Sequence, residues 1–150
     1  MNSASVLLVG IGSAHGDDRV GWSVAAAVAQ RAGDQVRVRT AAAPADLLDW
    51  LAGVDRLHLC DAWLTSEPGG QLTQWSFPDP AIESAGFGST HSLSLPAALR
   101  LAAELGTLPR EVILWGVSIE RAEPGAPLSP RVAAAVPRIA ERICEVLEYA

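Results

Sequence analysis

The chain has 150 residues, 49% of them hydrophobic and 19% charged, a balance that suits a folded core and excludes intrinsic disorder. At this length one domain spanning 1–150 is expected. The net charge of −6, with no block of Lys or Arg, argues against a nucleic-acid surface, and no apolar run approaches membrane-spanning length.

"SVLLVG" (5–10) is a short continuous apolar run closed by glycine and reads as a buried strand. A glycine-bearing turn follows and ends in two adjacent acids, Asp17 and Asp18. Residues 18–31 read as a helix, with Val20, Val24, Ala27 and Val28 on one face and Gly33 just past its end. "VRVRT" (36–40) alternates like a half-exposed edge strand, and "PADLLDWLAG" (44–53) reads as a short helix opened by Pro44. "DRLHLCDA" (55–62) is the third strand. "GGQLTQWSF" (69–77) alternates again after a Pro-Gly turn. "SLSLPAALRLAAELG" (92–106) is a helix stopped by Gly106 and Pro109, and "EVILWGVS" (111–118) is the most apolar strand. "SPRVAAAVPRIAERICEVLEYA" (129–150) is a terminal helix with Ser129 as N-cap, Pro130 at its first position and a kink expected at Pro137. Cys60 and Cys144 stand far apart with no metal-type spacing and read as reduced, buried thiols. The first residues carry no charged leader before a signal-type core, so a cytoplasmic chain is expected.

Strands alternating with helices predict a mostly parallel sheet covered on both faces, with ligands bound beyond the carboxyl ends of its strands. At those ends stand Asp17 and Asp18 after the first strand and Asp61 after the third, with Ser89, Thr90, His91 and Ser92 in the loop before the 92–106 helix. Two carboxylate positions and an imidazole converging on one crevice would give open O,O,N ligation suited to a divalent transition metal. Each has a plainer reading. Asp18 can be a helix-start acid favoured by the helix dipole. Asp61 can close a turn, and His91 can be a loop histidine bonded to backbone. His15 carries little signal, and His58 alternates inside a strand, where packing claims it. The signal lies in the set.

Dinucleotide binding is an alternative, but Gly10, Gly12 and Gly16 form G-x-G-x-x-x-G rather than G-x-G-x-x-G, with His15 at the third glycine position. Asp17 and Asp18 would also set negative charge beside a pyrophosphate, and the second strand ends in Arg39, Thr40 and Ala41 without a ribose-binding acid. The chain has no H-E-x-x-H and no G-x-S-x-G, so neither a standard zinc protease nor a nucleophile-elbow hydrolase is supported.

Taken together, "LLVGIGSAHGDDRVGWSVA", "LCDAW…EPGG", "STHSLSLPAALRLAAELG" and "VILWGVSIE…LSPRVAAAVPRI" resemble, in order, four motifs of the hydrogenase maturation proteases. The resemblance covers nearly the whole chain. It implies a three-layer α/β/α fold whose five-stranded mixed, mostly parallel sheet runs 2-1-3-5-4, with strand four antiparallel. It also implies an endopeptidase that removes the C-terminal extension of a nickel–iron hydrogenase large-subunit precursor after nickel insertion. The family's metal-contacting residues fall here on Asp18, Asp61 and His91, also the expected catalytic set. The nickel would be carried by the substrate, with Cd²⁺ or Zn²⁺ as surrogates. A nickel-dependent docking or chaperone module without cleavage is the alternative within the family. Ser13 stands where the family signature has Asn, Arg19 replaces the small residue usual after the acid pair, and Trp63 and Leu64 replace a small or acidic residue and a glycine.

Overall fold

A computed structural model describes residues 5–84, 93–120 and 124–148. The strands are β1 (Val6–Ile11), β2 (Arg37–Ala41), β3 (Arg56–Leu64), β4 (Leu72–Ser76) and β5 (Glu111–Ile119). The α-helices are α1 (Val20–Ala32), α2 (Pro80–Ser84), α3 (Leu95–Leu105) and α4 (Pro130–Glu148). The sheet order is β2-β1-β3-β5-β4, with β4 antiparallel to β5 and the other pairings parallel. Both the order and the single reversed strand are those the family resemblance implies.

Because successive side chains on a strand point to opposite faces, each buried strand feeds two cores. Leu7, Val9, Leu57, Leu59 and Leu114 face α3 and meet Leu95 and Leu99. Leu8, Cys60, Trp115 and Val117 face the other way, toward Val24 and Val28 of α1 and Ile139 and Ile143 of α4. The helices therefore form one layer on each side. A fully buried Leu such as Leu99 or Leu114 contributes about 1.5–3 kcal/mol relative to its exposed state.

The differences from the expected elements have local causes. The predicted 44–53 helix is a 3-10 turn over Pro44–Asp49. The 92–106 helix begins at Leu95, because the Ser94 hydroxyl accepts from the Ala97 N–H at 3.2 Å and caps it there. The helix expected from residue 18 is preceded by a 3-10 turn, Gly16–Arg19, and α1 itself starts at Val20. Pro137 lies inside the α4 span. The short α2 carries no periodic signal that would have announced it.

Two glycines set the position of the first turn. Gly16 has φ +55°, a left-handed conformation that glycine takes without steric cost. Gly21, in the first turn of α1, lies so close to the sheet that a Cβ there would run into the carbonyl oxygens of Ile11 and, at 2.6 Å, Cys60. The start of α1 is thus seated directly on β1 and β3.

His58 lies in the core, as its strand alternation suggests. It is fully buried, and the Trp115 indole N–H donates to its Nδ1 at 3.0 Å, so the imidazole is held neutral with its proton on Nε2. Burial drives its pKa down from 6.5 to about 4, with Glu111 opposing and Arg56 reinforcing the shift. Since the folded pKa is the lower one, the neutral ring's stabilisation is complete above pH 6.5 and is lost as pH falls toward 4. That loss amounts to about 3 kcal/mol. His58→Gln, which retains an acceptor for Trp115, should flatten this part of the stability curve. Urea midpoints at pH 7 and pH 4.5 that fall equally in both proteins would show that His58 is not the acid-sensitive group.

Candidate functional site

The two acids that the sequence places after strands sit otherwise: β3 continues past Asp61 to Leu64, because Ala62, Trp63 and Leu64 still pair with β5, and Asp18 lies in the 3-10 turn Gly16–Arg19 that follows β1. Asp61 belongs to β3 and is buried, with 3% of its surface exposed. Its Oδ1 accepts from the Ala62 N–H at 2.8 Å, while its Oδ2 is buried with no hydrogen-bond partner among the described residues. Asp18 is half-buried in the 3-10 turn that packs against β3. It is near enough for its charge to act on Asp61. Burial first, and the Asp18 carboxylate second, push the Asp61 pKa well above the ordinary carboxylate range, against the Ala62 hydrogen bond. A buried acid with an unpartnered oxygen beside a second carboxylate is costly unless a proton or a cation occupies it.

Asp18 is oriented by a residue that the motif reading singled out only as a departure from the family pattern. The Ser13 hydroxyl donates to Asp18 Oδ2 at 2.6 Å and accepts from the His15 N–H at 3.3 Å. The Ser13 N–H also reaches the Asp18 carbonyl at 3.3 Å. One oxygen of Asp18 is therefore committed to holding the carboxylate in place, and Oδ1 is the one left to meet a ligand. The signal in sequence was a hydroxyl five residues before the acid across a glycine turn, a spacing too common to be read alone.

The neighbouring acid has a different occupation. Asp17 is fully buried. Its carboxylate accepts from the Glu120 N–H at 2.9 Å, the Ser129 N–H at 2.6 Å and the Ser129 hydroxyl at 2.8 Å. It thereby ties the first turn to the end of β5 and the start of α4. Ser129 is the N-cap expected from sequence, since its carbonyl accepts from the Ala133 N–H at 2.9 Å, but its hydroxyl is spent on Asp17. Gly16 N–H adds a bond to the Ala126 carbonyl at 3.1 Å. Asp17 is structural, whereas Asp18 is half-buried and near enough to Asp61 for its charge to act there.

The third candidate, His91, lies outside the described residues, as do Ser89, Thr90 and Ser92. Among the described residues no three His, Cys, Asp or Glu side chains gather into a metal-type cluster. Asp18 and Asp61 supply two oxygen donors, one of them buried and unpartnered, which suits a divalent cation that brings its remaining ligands with it. Cys60 is buried in the core on the face toward α1 and α4, and burial drives its thiol pKa far upward, so it is no nucleophile. No helix among the described residues is long and apolar enough to cross a membrane.

Comparisons with known proteins bear on this arrangement. The family model described as HycI, hydrogenase maturation protease, matches residues 24–146, which include Asp61 and His91 but begin after Asp18. No curated protein sequence matches the chain significantly. The fold is similar to that of the hydrogenase maturating endopeptidase HybD from E. coli, with 24% identity over 97% of this chain and 93% of that one and a TM-score of 0.80. It is also similar to HybD of Thermococcus kodakarensis, at 21% identity, 95% and 99% coverage and a TM-score of 0.76. For a hydrogenase 2 maturation peptidase from a Thaumarchaeota archaeon the values are 25%, 95%, 97% and 0.66. With the sheet order and a family match across most of its length, the chain belongs to the hydrogenase maturation protease family.

Proposed function

We propose that this chain is a cytoplasmic endopeptidase that removes the C-terminal extension from the large-subunit precursor of a nickel–iron hydrogenase once nickel has been inserted. In this reading Asp18, Asp61 and His91 recognise the nickel that the substrate carries. The observation that supports it is the buried, unpartnered Oδ2 of Asp61 beside the Asp18 carboxylate. Such a pair is electrostatically unsatisfied in the free protein and is satisfied by an incoming cation, which favours the ionised form of both acids. His91 enters on the family resemblance alone and would add a nitrogen donor. Ser13 holds Asp18 ready, so little reorganisation is needed when substrate arrives.

The protein's own contribution would then be recognition of a loaded substrate and positioning of the peptide bond next to ionised carboxylates. Asp18 and Asp61 are both candidates for accepting a proton from attacking water. Incubation with a nickel-loaded large-subunit precursor should yield a faster-migrating band and a defined mass loss, while the same precursor without nickel stays intact. Equal cleavage of both would remove nickel recognition from the account. Metal-dependent complex formation with no cleavage would instead favour a docking module.

A further inference from the structure

The two edges of the sheet are built differently. On β2 the edge is guarded by two exposed guanidinium groups: Arg37, whose Nη2 reaches the Ser5 hydroxyl at 3.4 Å, and Arg39, held 4.2 Å over the Trp50 ring. Charged residues of this kind are a usual defence of an edge strand against pairing with another chain. The opposite edge, β4, reads Leu-Thr-Gln-Trp-Ser and carries no charge, no Lys and no Pro.

Its register shows which backbone groups are open. The Phe77 N–H donates to the Val112 carbonyl at 3.0 Å, and the Ser118 N–H donates to the Gln71 carbonyl at 2.9 Å. In an antiparallel ladder, hydrogen-bonded and non-bonded pairs alternate. Thr73 and Trp75 therefore bond to Gly116 and Leu114 of β5, while the N–H and C=O groups of Leu72, Gln74 and Ser76 point away from the sheet. Among the described residues nothing is hydrogen-bonded to those outward groups.

The same register ties this edge to the paired acids. Asp61 stands opposite Gly116, and Gly116 opposite Thr73, so the three lie in one row across β3, β5 and β4. A strand added outside β4 would run three strand spacings, about 14 Å, from β3. Four or five extended residues cover that distance.

We propose that the free edge of β4 is the docking strand for the precursor's C-terminal extension, which pairs with the outward groups of Leu72, Gln74 and Ser76 and continues along the row of Thr73 and Gly116 toward Asp61. This rests on the processing role proposed above. Main-chain pairing supplies affinity with little demand on side-chain identity, and the uncharged face admits an uncharged or weakly charged peptide.

Gln74→Pro tests this, because it removes an outward N–H without removing a bond to β5, the setting in which an edge strand tolerates proline. Cleavage of the nickel-loaded precursor should show KM raised at least tenfold with kcat within about threefold, and binding of Cd²⁺ to the free protein should be unchanged. Unaltered KM in a folded variant overturns the proposal. If Gln74→Pro fails to fold, amide exchange of the wild-type chain with a synthetic peptide of the extension decides. Added protection at Leu72, Gln74 and Ser76 but not at Thr73 supports pairing, and its absence refutes it. A wild-type dimer that Gln74→Pro dissociates would assign the edge to a second copy and overturn the proposal. Failure of the wild type to cleave any precursor counts against the processing role, whereas the exchange measurement still reports on the edge.

Discussion

Asp61→Asn should abolish processing while making the protein more stable. The folded-state pKa of Asp61 is raised, so the stability attached to its protonated form is complete below the ordinary carboxylate range and is lost as pH rises through the raised value. At neutral pH the wild type therefore carries the cost of either charging this buried group beside Asp18 or keeping it protonated. The amide is nearly isosteric and still offers an oxygen to the Ala62 N–H. The variant should melt at a higher temperature than wild type at pH 7.5, and the gain should shrink as pH is lowered. It should also lose the weak one-to-one binding of Ni²⁺ or Cd²⁺ expected of the free protein, and its cleavage of a loaded precursor should drop by at least about 10²-fold, the scale seen when a ligand or its direct support is removed. Stability given up for a strained functional group is a familiar trade. Calorimetry that shows unchanged metal binding in Asp61→Asn would mean the paired acids are not a cation site, and a lower melting temperature would mean that the buried charge is compensated.

Asp17→Ala should have the opposite profile, a large loss of stability with the chemistry at Asp18 and Asp61 intact in whatever fraction remains folded. The substitution strips the acceptor from two backbone N–H groups, Glu120 and Ser129, and from the Ser129 hydroxyl. Hydrogen bonds to a buried ionised group contribute about 1.5–3 kcal/mol each, and their effects are not additive. A total of about 4–5 kcal/mol is expected, enough to unfold a marginal domain. Asp17→Asn, which keeps one acceptor oxygen, should lose roughly half as much. Asp18→Asn should leave the unfolding free energy within about 1 kcal/mol of wild type and lose metal binding. Chemical denaturation of the three variants separates the two acids: similar destabilisation by Asp17→Ala and Asp18→Asn would show that both serve the turn.

These contrasts mark how far the sequence reaches. The alternation of apolar runs with helical periods already required a mostly parallel sheet, because each period is a local property of the chain. The ends of the first and third strands, and so Asp17, Asp18 and Asp61 as candidates, followed from the rule that such sheets bind beyond their carboxyl ends. The family motifs added the sheet order and the reversed fourth strand, which no local pattern carries.

What local pattern could not do was tell Asp17 from Asp18; the family motifs alone pointed to the second acid. Adjacent residues in a 3-10 turn diverge by about 120°, so one must face inward, but either could. The choice is made by partners 103 and 112 positions further on, Glu120 and Ser129, which meet Asp17 only when β5 and α4 close over the turn. The neutral state of His58 likewise depends on Trp115, 57 residues away, and the open edge of β4 depends on which of its residues pair with β5. Local periodicity determined the elements of this protein. Burial, pairing and charge, which exist only between elements distant in sequence, decided which of two identical neighbours holds the fold and which is left beside Asp61.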